Sequence, residues 1–302
     1  MRNNDIFSSS GKSAVSLLLT TVLLLLCWAG AVSAEPLIDQ SRAKIDAATY
    51  LGTFSFIVTG DTCGDYPYLL SPEYKSIIEY ANQAKVNMMM LTGDMIRGGN
   101  VATVQRQWDE FFAVSSTSTA AILPVPGDQD IWDSTSAAIW RQRFGARWYS
   151  FDYSGCHFIF LDTQDTETGL SQEQVKWLYN DLEAARGTQA IYIFMHRPLF
   201  MGSGWMSGIH QRLRNFPVKA VFASHYPRYQ TLGDVDGISY YIVGGGGVTP
   251  DVQPELGGFH HFIQVVVRSS EIVTTVREAD GTPLPEEMTR RWTGTQFPMC
   301  ES

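Results

Sequence analysis

The sequence predicts an α/β fold built around a largely parallel sheet. Apolar runs with strand character alternate with amphipathic helices over the first half of the chain, and strands separated by helices usually pair in parallel. Three successive apolar runs, at residues 53–58, 87–91 and 120–125, lead into Gly-Asp dipeptides. The chain has 302 residues, of which 44% are hydrophobic and 18% charged, so it can bury a sizeable core.

Apolar spacing and turn signals place the other elements in chain order. The predicted helices cover residues 72–85, 101–114 and 171–186, and the remaining strands cover 147–153, 156–161, 190–195, 219–223, 239–243, 259–267 and 272–276. The first two of these strands should form a hairpin around Ser154-Gly155. Ser171 is the predicted N-cap of the third helix, and Gln174 should complete a capping box. We expect one domain over residues 35–281 and a draped or loosely ordered tail over 282–302.

The first 34 residues have the pattern of a secretory signal peptide. Arg2 and Lys12 precede the apolar run AVSLLLTTVLLLLCWAGA, and the small residues Ser33 and Ala34 follow it. We therefore expect cleavage after Ala34 and a secreted or periplasmic protein. An uncleaved membrane anchor is the alternative, because residues 14–31 approach the length that spans a bilayer.

The charge balance and the cysteines limit the classes of function. The formal net charge is −9, so we expect no non-specific binding to nucleic acid or to an anionic membrane. Beyond the signal peptide the cysteines are Cys63, Cys156 and Cys300, which would allow one disulfide in an exported protein. The sequence leaves the pairing open. A phosphate-bearing substrate would need positive charge at the site from metal ions or from arginines.

Five strand ends carry residues that commonly bind metal ions. Asp61, Asp94 and Asp128 follow the first three strands, and His196 and His225 follow two later ones. Functional residues of parallel sheets collect at the carboxyl ends of the strands, so these side chains should meet in one crevice. Uncompensated aspartates would repel one another there, and a mixed set of Asp and His suits Zn, Mn or Fe. The sequence therefore predicts a divalent metal site.

The order GD…GD…GDQD…MHRP…SHYP resembles the calcineurin-like metallophosphoesterase superfamily, which includes the purple acid phosphatases. The resemblance covers roughly residues 52–268, including KWLYNDL at 176–182, YYIVGGGG at 240–247 and FHHFIQVVV at 259–267. It implies a four-layer α/β/β/α sandwich with mixed sheets that holds a two-metal site. It also implies hydrolysis of phosphate esters by metal-activated water.

The resemblance carries over completely for one of the two metals. Asp94 matches the bridging aspartate of the family, and Asp128 stands where the family has a ligand asparagine. His196 matches the family's lone histidine, and His225 matches the first histidine of its last motif. These four residues form a full ligand set, so the resemblance implies one firm metal site.

The other metal site departs from the family pattern. Asp61 matches the first aspartate, but Cys63 stands where the family often has histidine, and Pro227 replaces a ligand histidine. A thiolate at Cys63 could still bind Zn or Fe unless the residue forms a disulfide. Asp61 and Cys63 are therefore candidate ligands of a second site that is weak or absent.

Other positions of the motifs are candidates for roles in catalysis. Gln129 replaces the family histidine that contacts the phosphate and assists the leaving group, and Asp130 matches that histidine's acidic partner. Arg97 stands where purple acid phosphatases place a ligand tyrosine. We hypothesise that Arg97 pairs with Asp61 and partly replaces the first cation, with a solvated loop arginine as the alternative. His210 is a candidate general acid, although a surface position on a helix is favoured for it.

Two classes of function follow from these residues. The first is an exported, metal-dependent phosphoesterase that acts on a phosphorylated small molecule or another phosphoester, with Arg97 or Arg228 balancing the phosphate charge. The second is a weak or inactive pseudoenzyme that keeps the sandwich as a binding module. Losing a general acid at Gln129 costs about 10²- to 10⁴-fold in rate. Gln129 and Pro227 favour the second class, whereas the complete ligand set favours the first.

Overall fold

The computed structural model describes residues 35–48, 52–66, 70–269, 271–285 and 289. The predicted signal peptide, Cys300 and most of the predicted tail lie outside these residues. The helices in these ranges are α1 (Leu37–Asp46), α2 (Pro72–Gln83), α3 (Val101–Ser115), α4 (Ser134–Arg143), α5 (Gln172–Ala184) and α6 (His210–Leu213). The strands are β1 (Thr53–Thr59), β2 (Met88–Leu91), β3 (Ala121–Pro124), β4 (Tyr149–Tyr153), β5 (Cys156–Phe160), β6 (Ala190–Phe194), β7 (Val218–Ala223), β8 (Tyr229–Val235), β9 (Ile238–Val243), β10 (His261–Arg268) and β11 (Ile272–Glu278). No helix within the described ranges is long and apolar enough to cross a bilayer.

The strands form two mixed sheets. In the first sheet, with order β11-β10-β1-β2-β3, the strands β1, β2 and β3 run parallel and β10 is antiparallel to β1. In the second sheet, with order β4-β5-β6-β7-β9-β8, the four central strands run parallel and each edge strand is antiparallel to its neighbour. The predicted parallel arrangement of the first three strands is therefore confirmed.

The two sheets pack face to face through aromatic side chains. The ring of Phe56 in β1 lies 5.6 Å from Phe158, 5.0 Å from Tyr192 and 6.2 Å from Phe194, all in the second sheet. Buried side chains of α2 and α3 join the core that contains the first sheet. Leu178 of α5 packs in a second core with residues of β6 and β7. The predicted four-layer α/β/β/α sandwich is confirmed.

The capping box predicted at the start of α5 is wrong. The Ser171 hydroxyl accepts a hydrogen bond from the Gln174 amide nitrogen at 3.2 Å, as an N-cap should. The Gln174 side chain, however, bonds the backbone nitrogen and oxygen of Asp162 at 2.8 and 2.9 Å. Because both polar atoms of the Gln174 side chain bond the backbone of Asp162, this side chain does not bond the backbone nitrogen of Ser171. The described residues form a reciprocal capping box at α4 instead, between Asp133 and Ser136.

The predicted hairpin is confirmed, and it carries a buried histidine. Ser154 and Gly155, at the turn between β4 and β5, have φ angles of 52° and 79°. The ring nitrogens of His157 in β5 lie 2.8 Å from an Asp152 oxygen and 2.9 Å from an Asp181 oxygen. Burial lowers the pKa of His157, but hydrogen bonds to the two carboxylates outweigh it, so the net pKa is raised. His157 thus links the hairpin to α5 through Asp181.

The two described cysteines are buried free thiols. Cys63 and Cys156 form no disulfide with each other. Burial raises the pKa of Cys156 to about 11, so this thiol stays protonated at neutral pH. A disulfide to Cys300 falls outside the described residues.

The first residues after the predicted domain boundary lie along the first sheet. Leu284 donates a backbone hydrogen bond to Val276 of β11 at 2.9 Å. The Leu284 side chain packs against the core of the first sheet. The start of the predicted tail is therefore draped over β11 in the described part of the chain.

Candidate metal centre

The strand ends bring together the five candidate ligands Asp61, Asp94, Asp128, His196 and His225. The Gly-Asp turns after β1 and β2 and the Gly-Asp after β3 lie side by side because these strands are parallel neighbours. The backbone nitrogen of His225 donates to an Asp61 oxygen at 3.0 Å, which joins the second sheet to the first. The His196 Nε2 atom lies 3.4 Å from Asp94 and 2.8 Å from Asp128.

Four of these residues could hold one ion. Ligand atoms of Asp94, Asp128, His196 and His225 all lie within 4.8 Å of one another. Ligands that share a divalent ion at about 2.0–2.2 Å lie at most about 4.4 Å apart, so a shift of a few tenths of an ångström brings the set to coordination distance. The mixture of two carboxylates and two imidazoles suits a borderline divalent metal. We call these four residues the metal cluster.

The histidine at the centre of the metal cluster is held in one orientation. His196 is fully buried, and its Nδ1 atom lies 2.9 Å from the carbonyl oxygen of Thr92. A carbonyl can only accept, so Nδ1 carries the proton and donates it. The Nε2 atom therefore faces the carboxylates. Burial lowers the pKa of His196, but Asp94 and Asp128 outweigh burial and raise it to about 10. A metal ion at Nε2 would take the place of the second ring proton and would supply the positive charge beside the carboxylates.

The solvent-facing half of the metal cluster consists of Asp128 and His225. Their side chains are 35% and 32% exposed, whereas those of Asp94 and His196 are almost completely buried. One Asp128 oxygen accepts hydrogen bonds from His196 and from His225 Nδ1, at 2.8 and 2.9 Å. Partial burial would raise the pKa of Asp128, but the hydrogen bonds from the two histidines hold it well below its usual range. A ligand can thus reach this cluster from the Asp128 and His225 side.

Solved structures of two phosphatases are similar in fold to this chain. No protein-family model matches the chain, and no curated protein matches it in sequence. A purple acid phosphatase from yellow lupin superposes with a TM-score of 0.64 at 16% identity, over 79% of this chain and 54% of the lupin chain. A dimetal phosphatase from zebrafish superposes with a TM-score of 0.61 at 16% identity, over 76% of this chain and 98% of the zebrafish chain.

This chain has the calcineurin-like metallophosphoesterase fold.

The fold also occurs in a protein that is described by another role. GAP50, described as the anchor in the inner membrane complex of Plasmodium, superposes with a TM-score of 0.59 at 15% identity, over 77% of this chain and 87% of its own. This chain spans only about half the length of the lupin phosphatase. At these identities the likenesses establish the metallophosphoesterase fold alone.

Site residues of this metallophosphoesterase fold adopt unusual backbone angles. Asp61, Asp94 and His225 have φ angles of 53°, 55° and 73°, in the left-handed region. Each such residue costs roughly 1–2 kcal/mol relative to a right-handed conformation, although short polar residues tolerate the region best. Burial and then the Asp94 charge raise the pKa of Asp61 well above its usual range. The carboxylate of Asp61 is therefore costly to ionise without a nearby cation.

The glycines of the Gly-Asp motifs allow neighbouring turns to interlock. A Cβ atom on Gly93, which has φ of 97°, would lie 2.6 Å from His196 Nδ1 and 2.8 Å from the Gly127 nitrogen. A Cβ atom on Gly127 would overlap the carboxylate of Asp94. Each glycine therefore leaves the space that the adjacent strand end occupies.

Asp130 supports the site from behind. Its side chain is completely buried, so it cannot contact a substrate. One carboxylate oxygen accepts from the backbone nitrogens of Asp94 and Gly127 at 2.8 and 2.9 Å. The other accepts from Met95 and Ile96 at 3.0 and 3.3 Å. The structure thus gives Asp130, a predicted catalytic residue, a positioning role at the turn that carries Asp94.

Cys63 and Gln129 contact each other beside the metal cluster. The Cys63 thiol donates to the Gln129 side-chain oxygen at 3.7 Å, and the Gln129 backbone nitrogen donates to Asp94 at 3.0 Å. Burial and then the charges of Asp94 and Asp61 raise the pKa of Cys63 well above its usual value. Within the described residues, Cys63 and Asp61 lie outside the group of four that could hold an ion.

Two further predictions about cationic residues need correction. Arg97 is exposed and forms no ion pair within the described ranges, so the hypothesised pair with Asp61 is not formed. His210 is buried rather than on the surface. Its ring nitrogens lie 2.8 Å from the Tyr240 hydroxyl and 3.1 Å from Asp236, so it does not face the metal cluster.

A cavity beside the metal cluster adds Arg197 and Gln230, which the sequence did not assign to a site. It has a volume of about 650 Å³ and is lined by His225 together with Arg197, Trp205, Arg228 and Gln230. Arg228 also stacks on a ring, with its guanidinium carbon 4.8 Å from the Tyr226 ring centroid. Nothing in the residue pattern marked Gln230, because it lies on a strand that the apolar spacing did not predict.

Proposed function

We propose that this protein is a metal-dependent phosphoesterase with one firm metal site at Asp94, Asp128, His196 and His225. The observation that carries the proposal is the convergence of these four side chains, with ligand atoms within 4.8 Å of one another. The shared fold with the lupin and zebrafish phosphatases supports phosphoester chemistry at this position. A bound divalent cation would supply a Lewis acid for the phosphoryl oxygen and would lower the pKa of water.

The residues of this chain have separate roles in the proposal. Thr92 fixes the His196 tautomer so that Nε2 is free to bind the ion. Asp130 holds the backbone of Asp94 and thereby its carboxylate. Asp128 and His225 form the open side, where a phosphoester would approach. Gln129 can donate a hydrogen bond to a phosphate oxygen but cannot protonate a leaving group.

The experiment combines metal content with turnover. The purified protein should bind about one equivalent of Zn, Mn or Fe and should release nitrophenol from an aryl phosphate or an aryl phosphodiester. We expect His225→Ala to weaken metal binding at least about tenfold, because it removes one of the four ligands. Asp46, an exposed aspartate of α1, provides the control, and Asp46→Ala should change neither readout. A protein that binds no divalent metal would contradict the proposal.

The second metal is proposed to be weak or absent. Asp61 accepts the His225 backbone nitrogen, and the Cys63 thiol faces Gln129. Both groups are costly to ionise, because burial raises the pKa of each. Titration with Zn should therefore give one tight binding event, and two tight events of equal affinity would contradict this part of the proposal. Cys63→Ala should leave the tight event unchanged.

A pseudoenzyme is the second candidate, favoured by Gln129 in place of an acid. The Plasmodium protein with this fold is described as an anchor, which is a binding role. Bound metal with no turnover above that of the His225→Ala variant would favour this candidate. Turnover that appears only after Gln129→His would show that the missing acid is the defect.

Export remains part of the proposal through residues 1–34 of the sequence. The basic start, apolar run and small residues before Glu35 support it. Sequencing the amino terminus of the protein recovered outside the cytoplasm tests it, with Glu35 as the expected first residue. Recovery of the uncleaved chain in membranes would favour the anchor alternative.

A further inference from the structure

We infer that the cavity beside the metal cluster binds the organic part of the phosphoester, and that Gln230 recognises an uncharged carboxamide or lactam group on it. The inference rests on the proposed function for the phosphate end of the ligand. It adds the chemical class of the rest of that ligand.

The cavity has the size and walls of a site for an organic group. Its volume of about 650 Å³ lies within the range of roughly 300–1,000 Å³ that is typical of small-molecule sites. Its apolar walls are formed by Leu170, Val175, Leu199, Met201, Trp205 and Ile209. His225 belongs both to these walls and to the metal cluster. A phosphate at the metal cluster would therefore have its ester group at the mouth of an apolar cavity.

Gln230 is the polar group that this cavity leaves without a partner. Its side chain is only 1% exposed and lines the cavity. Neither its amide nitrogen nor its amide oxygen has a hydrogen-bond partner among the described residues. A buried amide without partners destabilises a fold, so an apolar residue would be the stable choice at this position of β8. A ligand that both donates and accepts would satisfy both amide atoms.

The arginines at the cavity do not define the ligand class. Arg228 lies 3.5 Å from an Asp251 oxygen, and Arg197 donates to the carbonyl oxygen of Glu167 at 3.2 Å. The charge of Arg228 is thus partly matched by Asp251, and Arg197 already donates one hydrogen bond within the protein. Adjacent donor and acceptor atoms on an uncharged group match the Gln230 amide, as carboxamides and lactams provide. Sugars and polyphosphates would leave the apolar walls unfilled.

Binding of two matched phosphonates tests the inference. Benzylphosphonate and 4-carbamoylbenzylphosphonate are titrated calorimetrically into the metal-loaded protein and into Gln230→Met, which keeps the side-chain length. Gln172→Met, at the exposed start of α5, is the control. We expect the carboxamide to improve affinity about tenfold in the wild type and the control, and not in Gln230→Met. The same ratio in all three proteins would overturn the inference.

Two further readouts separate this inference from the proposed function. The uncharged 4-methylbenzamide should bind the wild type and not Gln230→Met, with or without metal. If this binding is present while nitrophenyl phosphate is not hydrolysed, the cavity assignment stands and the proposed function fails. If hydrolysis is present and benzamide binding does not depend on Gln230, the cavity assignment fails alone. Gln230→Met should unfold at the same temperature as the wild type or at a higher one. A clearly lower unfolding temperature with unchanged ligand binding would show that Gln230 serves the packing of the fold and would overturn the inference.

Discussion

Replacing Asp130 with asparagine should destabilise the fold at the site. The carboxylate accepts backbone hydrogen bonds at 2.8, 2.9, 3.0 and 3.3 Å, two on each oxygen. An amide has one oxygen, so two buried backbone N–H groups would face an NH₂ group that cannot accept. A buried N–H group left without an acceptor costs about 1–3 kcal/mol, so the loss for the two groups is about 2–6 kcal/mol. That is a large part of the roughly 5–15 kcal/mol by which most proteins are stable.

Urea unfolding followed by circular dichroism measures this loss. The unfolding temperature should also fall by at least roughly 4 °C, since 1 kcal/mol corresponds to about 2–4 °C in a protein of this size. Asp133→Asn is the matched control, because Asp133 also accepts a backbone hydrogen bond, from Ser136 at 2.7 Å. Asparagine caps helices as well as aspartate does, so the control should change stability by less than about 0.5 kcal/mol. A loss below about 1 kcal/mol for Asp130→Asn would refute the assignment of Asp130 as the support of the Asp94 turn.

Three further changes test other parts of the structure. Gln129→His supplies an acid for the leaving group, so release of phosphate from an alkyl phosphate should rise by about 10²- to 10⁴-fold at unchanged metal content; an unchanged rate would count against the role of this position. Burial lowers the pKa of His157, but the two neighbouring carboxylates raise it more. The protonated histidine therefore stabilises the fold fully below about pH 6.5, and this stabilisation is lost as the pH rises through the raised pKa. Measured by calorimetry, the unfolding temperature of the wild type should therefore fall above pH 6.5 relative to that of His157→Gln. The same pH dependence of the unfolding temperature in both proteins would contradict this. Gly93→Ala should lower the free energy of unfolding by about 1–3 kcal/mol and weaken metal binding, because the new methyl group would clash with His196. Metal binding as tight as in the wild type would contradict this.

The sequence predicted the elements that are continuous apolar runs. The strands β1, β2 and β3 begin and end within a residue or two of the predicted bounds, because both faces of each strand end are buried. Their parallel pairing then placed Asp61 and Asp94 at one edge, next to Asp128. Helix α4 was not predicted, since only Ser136 and Trp140 of its residues are buried and it shows no apolar periodicity. Strand β8 was not predicted, because it is an edge strand with a register shift between Thr231 and Gly233.

The roles of individual site residues were harder to predict than their location. The sequence predicted Asp130 to be an acidic residue that takes part in catalysis. Its hydrogen-bond partners are backbone N–H groups, which cannot be predicted from a sequence pattern. Arg97 follows Asp94 closely in sequence, yet the turn points it to solvent. His210 is buried through contacts with Tyr240 and Asp236 that are distant in sequence. Contacts between elements, rather than local spacing, decide each of these cases.

The interlocked turns at Gly93 and Gly127 constrain how this site can change over time. Because each glycine occupies space against a neighbouring turn, the backbone of one strand end can shift only if the next one shifts as well. A half-buried side chain such as that of Gln129 can be exchanged singly. Residues on the interlocked backbone are coupled, so their substitutions should be strongly non-additive. A different metal preference would therefore be easier to graft onto this protein as a set of whole turns than as separate ligands.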